Sequence, residues 1–441
     1  MHCKFRQVKG KITFRLNTHQ NSLVIIMTLQ MIICLTVVVG TFLTLLFTKT
    51  KAEIAFFSAM ALLCITGVVN FEEAFSGFDS SGVLTVAVLY ITIAGLKYSN
   101  ALEWIVRHIM GQPKTHVRAL LRLMLPVGVL SSAMSNTACT ALFQDVVKIW
   151  AERLDIKPSK LLIPLAYAAS LGGLMTLIGT PPNLIIAYFY QQESGETLNV
   201  FATFPVAALI FIVCVCIVIV GRNLLPEREA EQKEDEIMTE MLDKRFSSRT
   251  FVSMGILVLL LVVSALDILP LTTCCLLAGM LMVITRCCTS EEAFREVDWR
   301  VLTVFAGSVC IGKAMANCGM DDMITHLIMR AGGDDPHIAL LLICGVAAVM
   351  TECLSDTGCA AVFFPIAYST AIHLGVSPVP FMIALMMSVS SSYATPIATP
   401  PNTIVYVTGG YKFSDYARLG IIMKIASLMI SVFVTPLFFH F

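Results

Sequence analysis

The chain has 441 residues, 57% hydrophobic and 14% charged, with a mean hydropathy of +0.81 and a formal net charge of zero. A soluble domain carries about 25% charged residues, so the composition excludes a soluble globular protein and predicts a polytopic membrane protein. Zero net charge gives no ground for a nucleic-acid partner. The 15 cysteines form no CxxC or Cys/His cluster and read as small apolar helix-packing residues rather than metal ligands.

Residues 1–22 are polar and basic (Lys4, Arg6, Lys9, Lys11, Arg15) and read as an extramembrane tail, with Met27 as an alternative start of translation. They lack the cleavage site of a signal peptide. Apolar runs follow at about Leu23–Thr48, Ala52–Phe71 and Ser81–Leu96, near the length of about 20 residues that spans hydrocarbon. Tyr98–Gly111 sets Leu102, Ile105, Val106 and Ile109 against Glu103, Arg107 and His108, the pattern of an amphipathic helix at the interface.

Arg118–Arg153 is charged at both ends and carries Ser135-Asn136-Thr137 near its middle. That fits a re-entrant helical hairpin with the polar triplet at its tip. Ser159–Tyr190 is a span interrupted at Gly179-Thr180-Pro181-Pro182-Asn183, and Val200–Leu225 is an ordinary span. The charge-dense stretch 226–249 reads as a cytoplasmic linker between a first membrane repeat, 23–225, and a second, 250–441. The second half gives spans near Phe251–Leu266, Leu271–Ile284 and Val301–Ala316. A hairpin near His337–His373, a broken span near Phe381–Val407 and a last span near Leu419–Phe438 complete it.

The repeat is written in identities. Glu72-Glu73-Ala74-Phe75 returns 219 residues later as Glu291-Glu292-Ala293-Phe294, and Val83-Leu84-Thr85-Val86 returns 218 later from Val301. Ser355-Asp356-Thr357 lies 220 after the first triplet, and Ala398-Thr399-Pro400-Pro401-Asn402 lies 219 after Gly179. Each half then holds five spans plus a hairpin, and an odd number predicts halves that face opposite ways. Lys and Arg agree with this. They crowd into segments 49–51, 97–122, 148–160, 222–249, 286–300 and 412–418, while 70–80, 191–199, 267–270 and 374–380 hold none. The basic tail is the exception, since it falls on the outer side.

Polar residues, glycines and prolines at membrane depth are tolerated where a helix is meant to break against protein or a water-filled cavity. A break frees carbonyls for a cation and presents N–H groups and a positive dipole end to an anion. Hydroxyls and amides at the hairpin tip serve either charge.

These paired motifs resemble the divalent-anion:sodium symporter family over nearly the whole chain from about residue 27. The resemblance implies an all-α polytopic fold of two inverted repeats, each of about five spans and a re-entrant hairpin. It implies a transporter, with no catalytic residues, that works as a homodimer by an elevator movement. It implies one sodium site at Ser131, Ser135, Asn136 and Gly179 and a second at Thr351, Ser355, Asp356 and Ala398. Substrate carboxylates would be held by Ser135, Asn136, Thr137, Ser355, Asp356, Thr357, Thr399 and Pro400. The chain departs from the family at Asp356, where the pattern has Asn. A carboxylate there strengthens cation binding and disfavours a dianion unless neutralised, and Glu352, one helical turn earlier, is a second candidate for proton coupling.

The function expected is sodium-coupled symport of a small dianion, a C4-dicarboxylate such as succinate, across a bacterial inner membrane. Na⁺ is the co-transported ion and no organic cofactor is called for. Sulfate or another inorganic oxyanion is the alternative on the same machinery. Cation/proton antiport through Asp356 and Glu352 is the alternative from a different mechanistic class. Lys97 and Lys313 read as end-of-helix residues reaching for the interface, and His108, His116, His326, His337 and His373 lie near helix ends.

Overall fold

In a medium without water every backbone N–H and C=O must find its partner within the chain, and a helix does this locally. The computed structural model describes residues 29–45, 47–48, 50–99, 101, 111, 113–228, 247–332, 335–352 and 355–441. Among them all regular structure is helical. The first half gives α1 (Leu29–Leu45), α2 (Ala52–Ile65), α3 (Phe71–Phe75) and α4 (Ser81–Tyr98). Then come α5 (His116–Ser131), α6 (Asn136–Arg153), α7 (Ser159–Gly173), α8 (Pro181–Ser194) and α9 (Phe204–Val220). The second half gives α10 (Ser248–Ala265), α11 (Leu271–Ile284), α12 (Ser290–Glu296), α13 (Trp299–Cys318) and α14 (Met320–Gly332). It continues with α15 (Pro336–Met350), α16 (Asp356–His373), α17 (Val379–Ser390), α18 (Pro400–Thr408), α19 (Phe413–Phe433) and α20 (Thr435–Phe438).

The second half repeats the first in element order, down to small devices. The EEAF segments form α3 and α12, each closed at its N-terminus by a capping box, Asn70 with Glu73 and Thr289 with Glu292. The packing between halves is reciprocal. α4 packs on α11, the counterpart of α2, while α13, the counterpart of α4, packs on α2. Likewise α8 packs on α16 and α18 on α6. Exchange of equivalent contacts of this kind is the signature of a two-fold relation.

The molecule is a multi-pass membrane protein. Among the described residues five helices are long and apolar enough to cross a bilayer, and α9 and α10 turn leucines, isoleucines and valines outward, among them Ile212, Val258 and Leu259. Two shorter helices, α7 and α17, lie at the centre. Every residue of α17 but Val379 is buried, and in α7 only Lys160 is not. Small residues along α7 (Ala166, Ala168, Ala169, Gly172, Gly173) let neighbouring backbones approach closely, which is how helices associate where lipid removes the hydrophobic drive.

Several sequence expectations change here. The hairpins stand, with α5 ending at Ser131 and α6 starting at Asn136, and α15 ending at Met350 and α16 starting at Asp356. The broken spans break earlier than expected: 174–180 separate α7 from α8, and the prolines open α8 instead of ending α7. Pro181 occupies the first helical turn, where its missing N–H costs nothing. Segment 317–336, between the span near Val301–Ala316 and the hairpin near His337–His373, contains α14. Met320 is buried and Ile324 and Ile328 are half-buried, one turn apart, with Asp322 and Arg330 exposed. Most of the expected interfacial helix at 98–111, the tail and most of the linker lie outside the described residues. The linker's described start is fastened down: Arg228 Nε donates to Asp415 Oδ2 at 3.0 Å, and Ser159 Oγ accepts from Arg228 N–H at 2.8 Å.

Candidate functional site

Each hairpin ends in a Ser that is the N-cap of the returning helix. Ser135 (φ −57°, ψ 129°) and Ser355 (φ −61°, ψ 128°) have nearly the same backbone, and neither side chain caps its own helix. The first helical bonds are Cys139 N–H to Ser135 O and Cys359 N–H to Ser355 O, both at 3.0 Å. The N–H groups of Asn136, Thr137 and Ala138 therefore have no intrahelical acceptor. The broken spans match as closely: Thr180 (φ −135°, ψ 141°) and Thr399 (φ −136°, ψ 150°) are N-caps, each followed by a Pro.

Hydroxyls tie each hairpin to the break that faces it. Ser131 Oγ donates to Ala169 O, and Thr351 Oγ1, 220 residues on, donates to Val389 O, both at 2.7 Å. Thr176 Oγ1 donates to Ser132 O, and Thr395 Oγ1 donates to Glu352 O at 2.7 Å. Asn183 Nδ2 donates to Thr176 O at 3.0 Å, and Asn402 Nδ2 donates to Thr395 O at 3.0 Å and Ser392 O at 3.1 Å. So the Asn of each Pro-Pro-Asn folds back to satisfy carbonyls that the break frees. The sequence reading missed this role, although the same Asn at the same place in both motifs carries it.

Asn136 sits at the centre of the first site. Its amide nitrogen faces Ala169 O (3.0 Å), Gly179 O (3.3 Å) and Ser131 Oγ (2.8 Å). Two of these are carbonyls, which only accept, so nitrogen is the end turned toward them. A Cβ on Gly173 would fall on this amide, and one on Gly179 would fall on the Gly173 backbone. The two glycines make the room. Ser131, Ser135, Asn136, Thr137 and Gly179 are thus brought together.

The second site differs in charge. Asp356 is half-buried, and its Oδ1 accepts from Thr357 N–H at 2.7 Å and Thr357 Oγ1 at 3.1 Å. Among the described residues no cationic side chain lies within ion-pair distance of it. Thr351 and Ser355 are the caps on either side of the hairpin turn and Thr357 lies in the first turn of α16, while Ala398, Thr399 and Pro400 lie where the span break meets α18, with Thr399 Oγ1 buried and without a hydrogen-bond partner.

Glu352 does not share a helical face with Asp356, which corrects the sequence reading. α15 ends at Met350 and α16 begins at Asp356, with a turn between them. The buried Glu352 carboxylate turns away into the span break. It accepts from the N–H groups of Tyr393 (3.0 Å), Ala394 and Thr395 (both 3.1 Å). Lys424 Nζ lies 3.6 Å from it. Lys424 went unnoticed in the sequence because it interrupts an otherwise apolar span singly.

A small cavity adjoins the first hairpin tip. Ser135, Gly179, Pro181 and Leu184 line it together with Leu89 and Tyr90 of α4. Its walls are chiefly apolar. Lys97 and Lys313 lie away from both sites, on Glu296 and Ser76.

An all-helical membrane protein whose halves each bring a hairpin tip and a broken span together around facing polar groups belongs to the membrane transporters. The chain matches the family described as Citrate transporter over residues 42–320 and 304–441, and it belongs to that family. It is 24% identical to the sodium-dependent dicarboxylate transporter SdcS of Staphylococcus saprophyticus, over 85% of this chain and 80% of that one. It is 34% identical to the probable sodium/sulfate cotransporter 3 of Chlamydomonas reinhardtii, over 38% of this chain and 20% of that one. The motif resemblance to divalent-anion:sodium symporters agrees with these relatives. Among solved structures, the Alcanivorax borkumensis YdaH transporter superposes with a TM-score of 0.59 at 13% identity, covering 93% of this chain and 98% of that one. That likeness is one of fold.

Proposed function

We propose that this protein couples the movement of sodium to uptake of a small divalent anion, a C4-dicarboxylate such as succinate. The observation that carries this reading is the matched pair of hydroxyl-to-carbonyl ties, Ser131 to Ala169 and Thr351 to Val389. Each sets a cluster of neutral oxygens beside the open N-terminal end of a half-helix. Neutral oxygens suit a cation, and the helix end suits a carboxylate. On this reading Ser131, Ser135, Asn136 and Gly179 hold one sodium, and Thr351, Ser355, Asp356 and Ala398 hold the second. Ser135, Asn136, Thr137, Ser355, Asp356, Thr357, Thr399 and Pro400 hold the anion.

The reciprocal packing supports a two-fold relation between halves 23–225 and 250–441, and the Lys/Arg distribution supports an axis in the membrane plane, that is, inverted repeats. The resemblance further implies a homodimer and an elevator movement. The apolar wall beside Ser135 favours an anion with a hydrocarbon body over sulfate, which wants donors on every side. The Chlamydomonas relative's name supports the sulfate reading, and the unpaired Asp356 supports exchange of sodium for protons.

Uptake of labelled succinate, citrate and sulfate into proteoliposomes, with and without an inward sodium gradient, tests the proposal. Sodium-driven succinate accumulation is the expected result. Sodium-driven sulfate or citrate uptake alone changes the substrate. Sodium moving against protons with no anion uptake overturns symport.

A further inference from the structure

The second span break contains a buried ion pair that the first lacks. Glu352 and Lys424 have side chains that are each 11% exposed. The carboxylate grips three consecutive backbone N–H groups, at residues 393, 394 and 395. The ammonium donates to Ser388 O at 3.2 Å and to Ser391 O, carbonyls at the C-terminal end of α17. That end carries the negative pole of the helix, where a cation is favoured. One ion pair thus fastens the start of the break to the end of α15, to the end of α17 and to α19.

In the first half the position of Glu352 is Ser132, and α9, the counterpart of α19, carries no charged residue. There neutral groups close the break: Met175 N–H bonds to Gly172 O at 3.0 Å and Leu177 N–H to Val200 O at 2.9 Å, with the Thr176 hydroxyl on Ser132 O and the Asn183 amide on Thr176 O. Two charges beyond Asp356 therefore distinguish the second half. Glu352 and Lys424 answer each other, which leaves Asp356 as the carboxylate still open to a mobile cation. The segment they fasten runs directly into Ala398 and Thr399.

We infer that Lys424, acting through Glu352, is a positioning residue that sets the sodium affinity of the second break. It does so by holding residues 391–395, and hence Ala398 and Thr399, in place. This rests on the sodium-coupled reading above. It goes beyond that reading in naming a pair that touches neither ion nor anion.

The test is thermal unfolding of the full-length protein in detergent as sodium chloride replaces choline chloride at constant ionic strength. A bound ion stabilises in proportion to the logarithm of its concentration over its dissociation constant, so the concentration at which sodium begins to stabilise reports affinity apart from baseline stability. In Lys424→Met this concentration should rise about tenfold, while Lys424→Arg, which keeps the charge, should stay near wild type. Glu352→Gln/Lys424→Met leaves no unpaired buried charge. It should recover baseline stability yet keep the shifted sodium dependence. If Lys424→Met yields no folded protein, the double variant carries the comparison. A sodium-stabilised wild type with unshifted variants overturns the positioning role alone. A wild type that does not distinguish sodium from choline overturns the role together with the sodium reading.

Discussion

Lys97 of the first half closes on Glu296 of the second at 2.6 Å, with the Tyr98 hydroxyl 3.1 Å from the same oxygen. Lys313 of the second half, two residues before the position that matches Lys97, donates to Ser76 Oγ at 2.7 Å, and Ser76 lies one residue before the position that matches Glu296. They are a charged and a neutral copy of the same kind of tie between the halves, made by neighbouring rather than equivalent positions of the repeat. The charged copy is partly open, with side-chain exposures of 37% and 22%. Exposed pairs contribute about 0.2–1 kcal/mol. Lys97→Met and Glu296→Gln should each lower stability by no more than that, and the double variant by little more than either single. Thermal unfolding of the three variants in detergent checks it, and additive losses would show that the residues do not act as a pair.

Gly173 has a sharper prediction. An added methyl would occupy the space of the Asn136 amide, which holds Ala169 O and Gly179 O in place. Gly173→Ala should cost about 1–3 kcal/mol of stability through overpacking, and sodium-driven uptake should fall about tenfold or more as the first site opens. Gly345, inside α15, is the control, since a Cβ there meets nothing within 4 Å. Gly345→Ala should leave uptake unchanged and stabilise the helix by about 0.5–1 kcal/mol. Equal effects of the two variants on uptake would contradict the placement of Asn136.

Asn183 and Asn402 satisfy different numbers of carbonyls. Asn183 Nδ2 serves Thr176 O alone, whereas Asn402 Nδ2 serves Thr395 O and Ser392 O. A buried polar group left unpaired costs about 1–3 kcal/mol. Asn402→Leu should therefore destabilise more than Asn183→Leu, and the order of their unfolding temperatures decides the point.

Much of this was legible because the repeat is written in residues with backbone consequences. Ser-Asn-Thr and Thr-Pro-Pro-Asn mark helix starts, and both pairs of starts lie where those letters put them. The end of the preceding half-helix was not legible in the same way. α7 ends at Gly173, well before the prolines, because Asn136 and the facing carbonyls decide where the chain leaves the helix, and Asn136 lies far away in sequence. α14 carries Asp321, Asp322 and Arg330, charges that weigh against a membrane helix, whereas the spacing of Met320, Ile324 and Ile328 marks a helix face. Lys424 and Glu352 were not read as a pair because a tertiary contact leaves no local pattern in either segment.

Asp356 gives the last prediction. At the matching place in the first half, Asn136 turns its amide nitrogen to two carbonyls and so completes the site without a net charge. A carboxylate has no such donor. The second break therefore gathers oxygens around a negative group whose nearest hydrogen bonds come from its own neighbour, Thr357. Asp356→Asn removes the charge, restores a donor and makes the second site resemble the first. If Asp356 binds sodium, the variant should need about tenfold more sodium for half-maximal uptake, the equivalent of roughly 1.4 kcal/mol, and its pH dependence should not change. If Asp356 instead carries a proton, the variant should keep its sodium requirement and lose the rise or fall of uptake with external pH. Sodium titrations of uptake at two pH values distinguish these outcomes. A variant indistinguishable from wild type in both would show that the carboxylate substitutes for the amide with no part in coupling.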